Sequence, residues 1–269
     1  MQLYPTTPEP APGPPPVRAR PQRRGLGAIG ALLLGLLAKG KSLLFVLKAL
    51  PIFKLLLTSA SMIAMVAFEA QRTGIWFAVG FVLMILVHEL GHGYAMKRRG
   101  VEASWPIFIP FFGAMISMKG LPQNRADEAH IAYGGPLAGT LAALAAAALG
   151  FATGSRIFFA LGYTGFFLNL FNLTPISPLD GGRVAQAFSR RAWIFGAGIL
   201  VLMFFVTHAP QLLLISLLAL PRLLGRRSSA DERPELEPIE QRTWAARYFG
   251  LAAFLGVGMY LSGSLLGQQ

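Results

Sequence analysis

Cysteine is absent from this chain of 269 residues. That excludes a disulfide framework and any thiolate metal or redox site, so a metal ion could be held only by His, Asp or Glu. Charge is scarce as well, at 13% of residues against 54% hydrophobic, and several long stretches carry none. An average soluble domain is about 25% charged, so the composition argues against an ordinary water-soluble fold and reads as a polytopic membrane protein. Acidic residues number 12 against 24 basic ones, for a formal charge of +12. In a soluble protein that excess would suggest nucleic acid. Here the basic residues cluster at the ends of apolar segments, which points to membrane orientation and anionic lipid headgroups, with no nucleic-acid partner.

Residues 1–24, "MQLYPTTPEPAPGPPPVRARPQRR", are rich in proline and arginine and lack apolar periodicity, so they read as a disordered arm. In residues 25–54 the apolar run is broken by Lys39, Lys41, Lys48 and Lys54, at intervals that suit an amphipathic helix lying on the membrane surface. A signal peptide is the competing reading, with Arg23-Arg24 resembling a twin-arginine signal, but the lysines that follow disfavour translocation. Apolar segments at 55–70, 75–96, 131–153, 157–175, 192–207, 210–221 and 244–265 predict an all-α fold with six to seven transmembrane helices. A polar loop is expected at about 223–243 within the C-terminal part, 191–269. If the first span leaves the cytoplasm, every Lys and Arg except Arg72 and Arg156 falls on the cytoplasmic side, as short cytoplasmic loops require. The expectation is a multi-pass protein of the cell membrane with its N-terminus inside.

Within the second apolar segment stands "HELGH", residues 88–92. His88 and His92 are four positions apart and share a helix face, where both imidazoles reach one metal ion. Glu89 lies about 100° around the helix from His88, close enough to act on a water at that ion. The competing reading is that the histidines hydrogen-bond neighbouring helices and Glu89 faces a polar crevice. In lipid that reading weakens, since ionisable side chains there cost about 3 kcal/mol each and mark functional interiors. His88 lies about 13 Å inward from Lys97, below the cytoplasmic surface but short of the bilayer centre.

Two imidazoles leave a zinc ion short of a ligand. Candidates are Asp127, Glu128 and His130 in one expected loop, Glu69 and His208 towards the outer face, and Asp180 in "NLFNLTPISPLDGGR". Pro175 and Pro178 remove backbone donors and break the helix there, Gly181-Gly182 permits a sharp turn, and the topology puts Asp180 at the depth of His88. Alternatively, Asp180 only caps the next helix.

"HELGH" together with "NLTPISPLDGG" at 172–182 resembles the site-2 protease family of intramembrane zinc metalloproteases. The resemblance implies one zinc ion bound by His88, His92 and Asp180, Glu89 as catalytic acid and base, and Asn172 beside the catalytic centre. It covers residues 55–190, expected to be a catalytic transmembrane core, and implies cleavage of a transmembrane protein substrate within or near the bilayer. The soluble modules that many members carry have no counterpart in this sequence. A membrane zinc-transport protein and a non-cleaving relative that binds membrane proteins are the alternatives. Transport would call for further ionisable residues along a path, and the sequence offers almost none beyond Glu69; an intact Glu89 argues against the binder.

"WPIFIPFFGAMISMKG", Trp105 to Gly120, is broken by Pro106, Pro110 and Gly113 and is a poor full span. Similar loops in the family form a re-entrant strand that pairs with an unwound substrate; a plain interfacial loop is the alternative. Gly135 and Gly139, at small-xxx-small spacing, read as helix packing and not as chemistry.

Overall fold

The computed structural model describes residues 51–110, 113–189, 191–208, 210–224 and 233–267. The N-terminal arm and all but the last residues of the expected surface helix lie outside them. Eight helices and one hairpin make up the described part: α1 (Pro51–Thr73), α2 (Ile75–Arg98), β1 (Ile107–Ile109), β2 (Gly113–Met115), α3 (Arg125–Thr153), α4 (Arg156–Asn172), α5 (Asp180–Ala185), α6 (Ala192–Thr207), α7 (Pro210–Leu223) and α8 (Pro238–Gly267).

Four of these helices are long and apolar enough to cross a membrane: α1 from Phe53, α2, α3 and α8. That is the architecture of a multi-pass membrane protein, with fewer such helices than the six to seven expected. The shortfall is in length: α4, α6 and α7 have 17, 16 and 14 residues, whereas a helix needs about 20 to span the hydrocarbon.

Two helices begin earlier than their apolar stretches. Helix α3 starts at Arg125 and not near 131, because the Asn124 side chain accepts the Asp127 N–H at 2.8 Å and satisfies a first-turn donor. Asp127, Glu128 and His130 are therefore helical, contrary to the loop expected for them. Helix α8 takes in residues 238–243 of the expected polar loop. Glycine ends both α2 and α3: Gly100 and Gly154 have φ of 69° and 64°, the left-handed conformation that stops a helix.

The helices pack as a series around α3 and α4. Helix α2 packs on α3, α3 on α4 and α4 on α8, and α1 flanks α2. The α2–α3 crossing is close because a Cβ on Gly91 would overlap the Gly134 carbonyl, and one on Gly134 would meet Gly91 and Ala95. On the far side, Met84, Ala143, Ala147, Leu161, Phe166 and Leu255 form part of one buried apolar cluster, and the Tyr248 hydroxyl donates to the Leu173 carbonyl. Helix α6 pairs with α7 and touches α5.

The segment following α2 is an antiparallel hairpin, with Ile107 opposite Met115 and Ile109 opposite Gly113. Beyond it the two arms stay paired through the Ala103–Met118 bridge. Phe108 is buried with Met65, Val82 and Ile85, while Ile107 and Ile109 face outward. Helix α1 holds the outer edge of β1: Thr58 Oγ1 donates to the Pro106 carbonyl at 2.8 Å, and the Phe108 N–H donates to Ser61 Oγ at 3.2 Å.

Candidate metal centre

His88, Glu89 and His92 lie on α2 and are buried, facing α3, α4 and the start of α5. The ligand-type atoms converge. His88 Nε2 is 3.2 Å from Asp180 Oδ2, His92 Nε2 is 3.1 Å from the same oxygen, and the two Nε2 atoms are 3.2 Å apart. Among the described residues this is the one group of three or more such side chains close enough to share an ion.

The opposite ring nitrogens decide what those atoms are. His92 Nδ1 lies 2.8 Å from the Ile131 carbonyl, which only accepts, so Nδ1 carries the proton. His88 Nδ1 lies 2.8 Å from Asn169 Oδ1, and the Asn169 amide is oriented by its own Nδ2, which donates to the Gly165 carbonyl at 2.7 Å. His88 Nδ1 is then a donor as well, with the tautomer inferred from this network. In the neutral imidazoles both Nε2 atoms present lone pairs, and the carboxylate presents a third. Three lone pairs forming a triangle with sides of 3.1 to 3.2 Å repel one another unless a cation lies between them. Nitrogen and oxygen ligands about 2.0 to 2.1 Å from a tetrahedral zinc ion stand about 3.3 Å apart, so the triangle fits one face of such a site. The donor set, two imidazoles and one carboxylate, is one that catalytic zinc uses.

Glycines make the room. A Cβ on Gly135 would overlap His92 Nε2, and one on Gly139 would overlap the Asn169 amide. Both do serve packing, and what they pack against is His92 and the asparagine that meets His88. Asp180 is the first residue of α5, not its cap, since the N-cap is Leu179 with no side-chain hydrogen bond. Gly181 and Gly182 lie inside α5, where added side chains would overlap the Leu173–Thr174 and Ile176–Ser177 backbones. Instead of making a turn they let α5 nest on the broken segment, which aims the carboxylate at α2.

Glu89 stands in the same pocket, within electrostatic reach of His88, His92 and Asp180, and meets the main chain of Ile116 just past β2. The other candidates are elsewhere. Asp127 pairs with Arg99 at 2.9 Å, Glu128 with Arg183 and Arg233, and His130 Nδ1 donates to the Ala126 carbonyl with its ring edge-on to Trp244. His208 is exposed at the end of α6, and Glu69 lies near the end of α1. Asn172, half-buried at the end of α4, makes no side-chain hydrogen bond among the described residues. The asparagine on His88 is Asn169, three residues earlier, which sequence reasoning missed; its one signal is a polar residue inside an apolar helix.

Peptidase family M50 matches residues 76–155, which contain both histidines and Glu89. A zinc metalloprotease of Methanocaldococcus jannaschii is 30% identical over 139 residues, covering 47% of this chain and 39% of that protein. A Mycobacterium tuberculosis protein named as a zinc metalloprotease, Rip3, is 32% identical over 119 residues, 41% of this chain and 30% of its own length. An Arabidopsis thaliana protein named as a chloroplastic zinc metalloprotease, EGY1, is 28% identical over 235 residues, 67% of this chain and 41% of its length. The matched stretches thus span about two fifths or less of these relatives.

Proposed function

We propose, from a segment that matches peptidase family M50 and carries motifs resembling those of site-2 proteases, that this chain is an intramembrane zinc metalloprotease. It hydrolyses a peptide bond in or near the transmembrane segment of a membrane protein, as in regulated intramembrane proteolysis. The observation that carries the reading is the convergence of His88 Nε2, His92 Nε2 and Asp180 Oδ2 beside the buried Glu89 carboxylate. His88, His92 and Asp180 would hold one Zn2+. When bound, zinc supplies Lewis-acid polarisation of the scissile carbonyl and makes water a nucleophile near neutral pH.

The chain's own groups do the rest. Glu89, buried beside the candidate ligands, takes the proton from the attacking water and delivers it to the departing amine. Asn169 and the Ile131 carbonyl fix the imidazole tautomers, so both Nε2 atoms stay available. A helical substrate hides its amides in hydrogen bonds and must unwind to be cut, which Gly or Pro near the scissile bond favours. The hairpin supports a docking role: the outer edge of β1 is occupied by α1, whereas the β2 arm leads at Ile116 to Glu89. An extended substrate strand added on that arm would lie over the site, by the general mode of strand addition. In this reading the hairpin is re-entrant.

The basic residues support an orientation in the cell membrane with the N-terminus and the site's opening at the cytoplasmic face, in contact with lipid headgroups. Reaching seven crossings requires α4, flanked by α3 and α8, to cross despite its length and α6 with α7 to form a short paired hairpin.

The test uses the purified chain in detergent with a generic transmembrane substrate. Glu89→Gln abolishes cleavage, a loss of about 100-fold or more, while zinc stays bound; Asp180→Ala loses zinc. Cleavage that survives Glu89→Gln overturns the mechanism, and unchanged zinc content in Asp180→Ala removes the third ligand.

A further inference from the structure

The centre takes both imidazoles from one long helix but its carboxylate from α5, which has six residues and cannot hold its own position as an isolated helix. Several contacts fix α5 to its neighbours in sequence: Gly181 and Gly182 nest on residues 173–177, and the Trp193 indole N–H donates to the Gly182 carbonyl at 3.0 Å. They set how α5 sits on its own flanks. They do not set its distance from α2; towards α3, α5 also packs by apolar contact, with Val184 in the buried cluster that holds Ala129 and Ala132, and the charge pairs described next act beside that packing.

The geometry points to Glu128 as a positioning residue for Asp180, acting through Arg183. This rests on the reading of His88, His92 and Asp180 as zinc ligands. Arg183 follows Asp180 by three positions, one turn of α5, and its Nε lies 3.6 Å from Glu128 Oε1. The other carboxylate oxygen, Oε2, takes Arg233 at 2.8 Å, so each oxygen has its own cation. The three side chains are only 13%, 22% and 12% exposed for Glu128, Arg183 and Arg233, which shields the pairs from the screening that makes surface ion pairs nearly worthless.

Glu128 occupies a telling place. It stands one turn before Ile131, whose carbonyl takes the His92 proton. The first turns of α3 therefore touch two of the three ligands at one remove: His92 through the Ile131 backbone and Asp180 through the Glu128 charge. A rigid helix that holds both partners fixes the distance between an imidazole and a carboxylate that lie 88 positions apart in sequence. Glu128 itself is outside the ligand group, and no step of the reaction uses it.

The experiment measures zinc affinity of the full chain in detergent by competition with a chromophoric chelator, together with the visible spectrum of the Co2+-loaded protein. Glu128→Gln and Arg183→Met are each expected to weaken zinc binding about tenfold and to alter the cobalt bands, as loss of a group that orients a ligand does. The double variant should be no worse than either single one, and Arg183→Lys, which keeps the charge, should bind close to wild type. Should Glu128→Gln not fold, Arg183→Met against Arg183→Lys carries the same comparison. Wild-type zinc affinity in Arg183→Met, with or without a lower melting temperature, overturns the inference, because a merely structural tie would cost stability alone. A wild-type chain that binds no zinc, or Asp180→Ala binding as tightly as wild type, fails at the metal reading instead.

Discussion

His88 can offer Nε2 to a metal only while something else accepts its Nδ1 proton, and that acceptor is the Asn169 amide oxygen. Asn169→Leu keeps the volume and removes the acceptor. Zinc affinity should fall between 10- and 100-fold in that variant, measured by chelator competition, while Asn172→Leu, at a side chain with no hydrogen bond among the described residues, should cost far less. The contrast marks where sequence reasoning stops at this scale. The spacing of His88, Glu89 and His92 is a local property of one helix and can be read without a structure. Asn169 and Asn172 differ by less than a turn of the same helix, and which one meets His88 is decided by how α4 packs on α2 and α3. Gly139 takes part in that choice, since a side chain there would fill the space of the Asn169 amide.

At the level of elements, the "HELGH" stretch has a second use besides its candidate ligands. Its glycine, Gly91, lies against the Gly134 backbone and sets how closely α2 crosses α3. Gly91→Ala should therefore destabilise the protein by about 1–3 kcal/mol, read as a lower melting temperature in detergent, because the added methyl meets main chain that cannot rotate away. Helix number and helix ends were less legible than the motif. Hydropathy marks where lipid begins, whereas a helix begins where its first amides find acceptors; at Asn124 that point falls among charged residues that resembled a loop. For Trp105 to Gly120 the family resemblance offered a re-entrant strand beside a plain interfacial loop, and the residues alone did not choose; the segment holds two short strands. What the sequence could not reveal is that Thr58 and Ser61, on a different helix, close one edge of the hairpin.

Across the whole molecule, membrane orientation is open to direct measurement because no native cysteine competes with a label. Glu102 is 80% exposed on the side of α2 that bears Lys97 and Arg98, and Thr153 is exposed at the opposite end of α3. In intact cells a membrane-impermeant maleimide should react with Thr153→Cys, and with Glu102→Cys only after lysis; the reverse pattern would invert the topology. The centre also depends on one helix in a way that a change of length would expose. Glu128, Ile131, Gly135 and Gly139 recur at spacings of three to four and share one side of α3, facing in turn Arg183, His92 Nδ1, the His92 ring and Asn169. Helix α3 thus works as a graduated ruler whose marks must all face the same way. One alanine inserted after Tyr133 would swing Gly135 and Gly139 about 100° away from Glu128 and Ile131 and should empty the protein of zinc. The same alanine inserted after Gly154, beyond the last mark, should leave its zinc content unchanged.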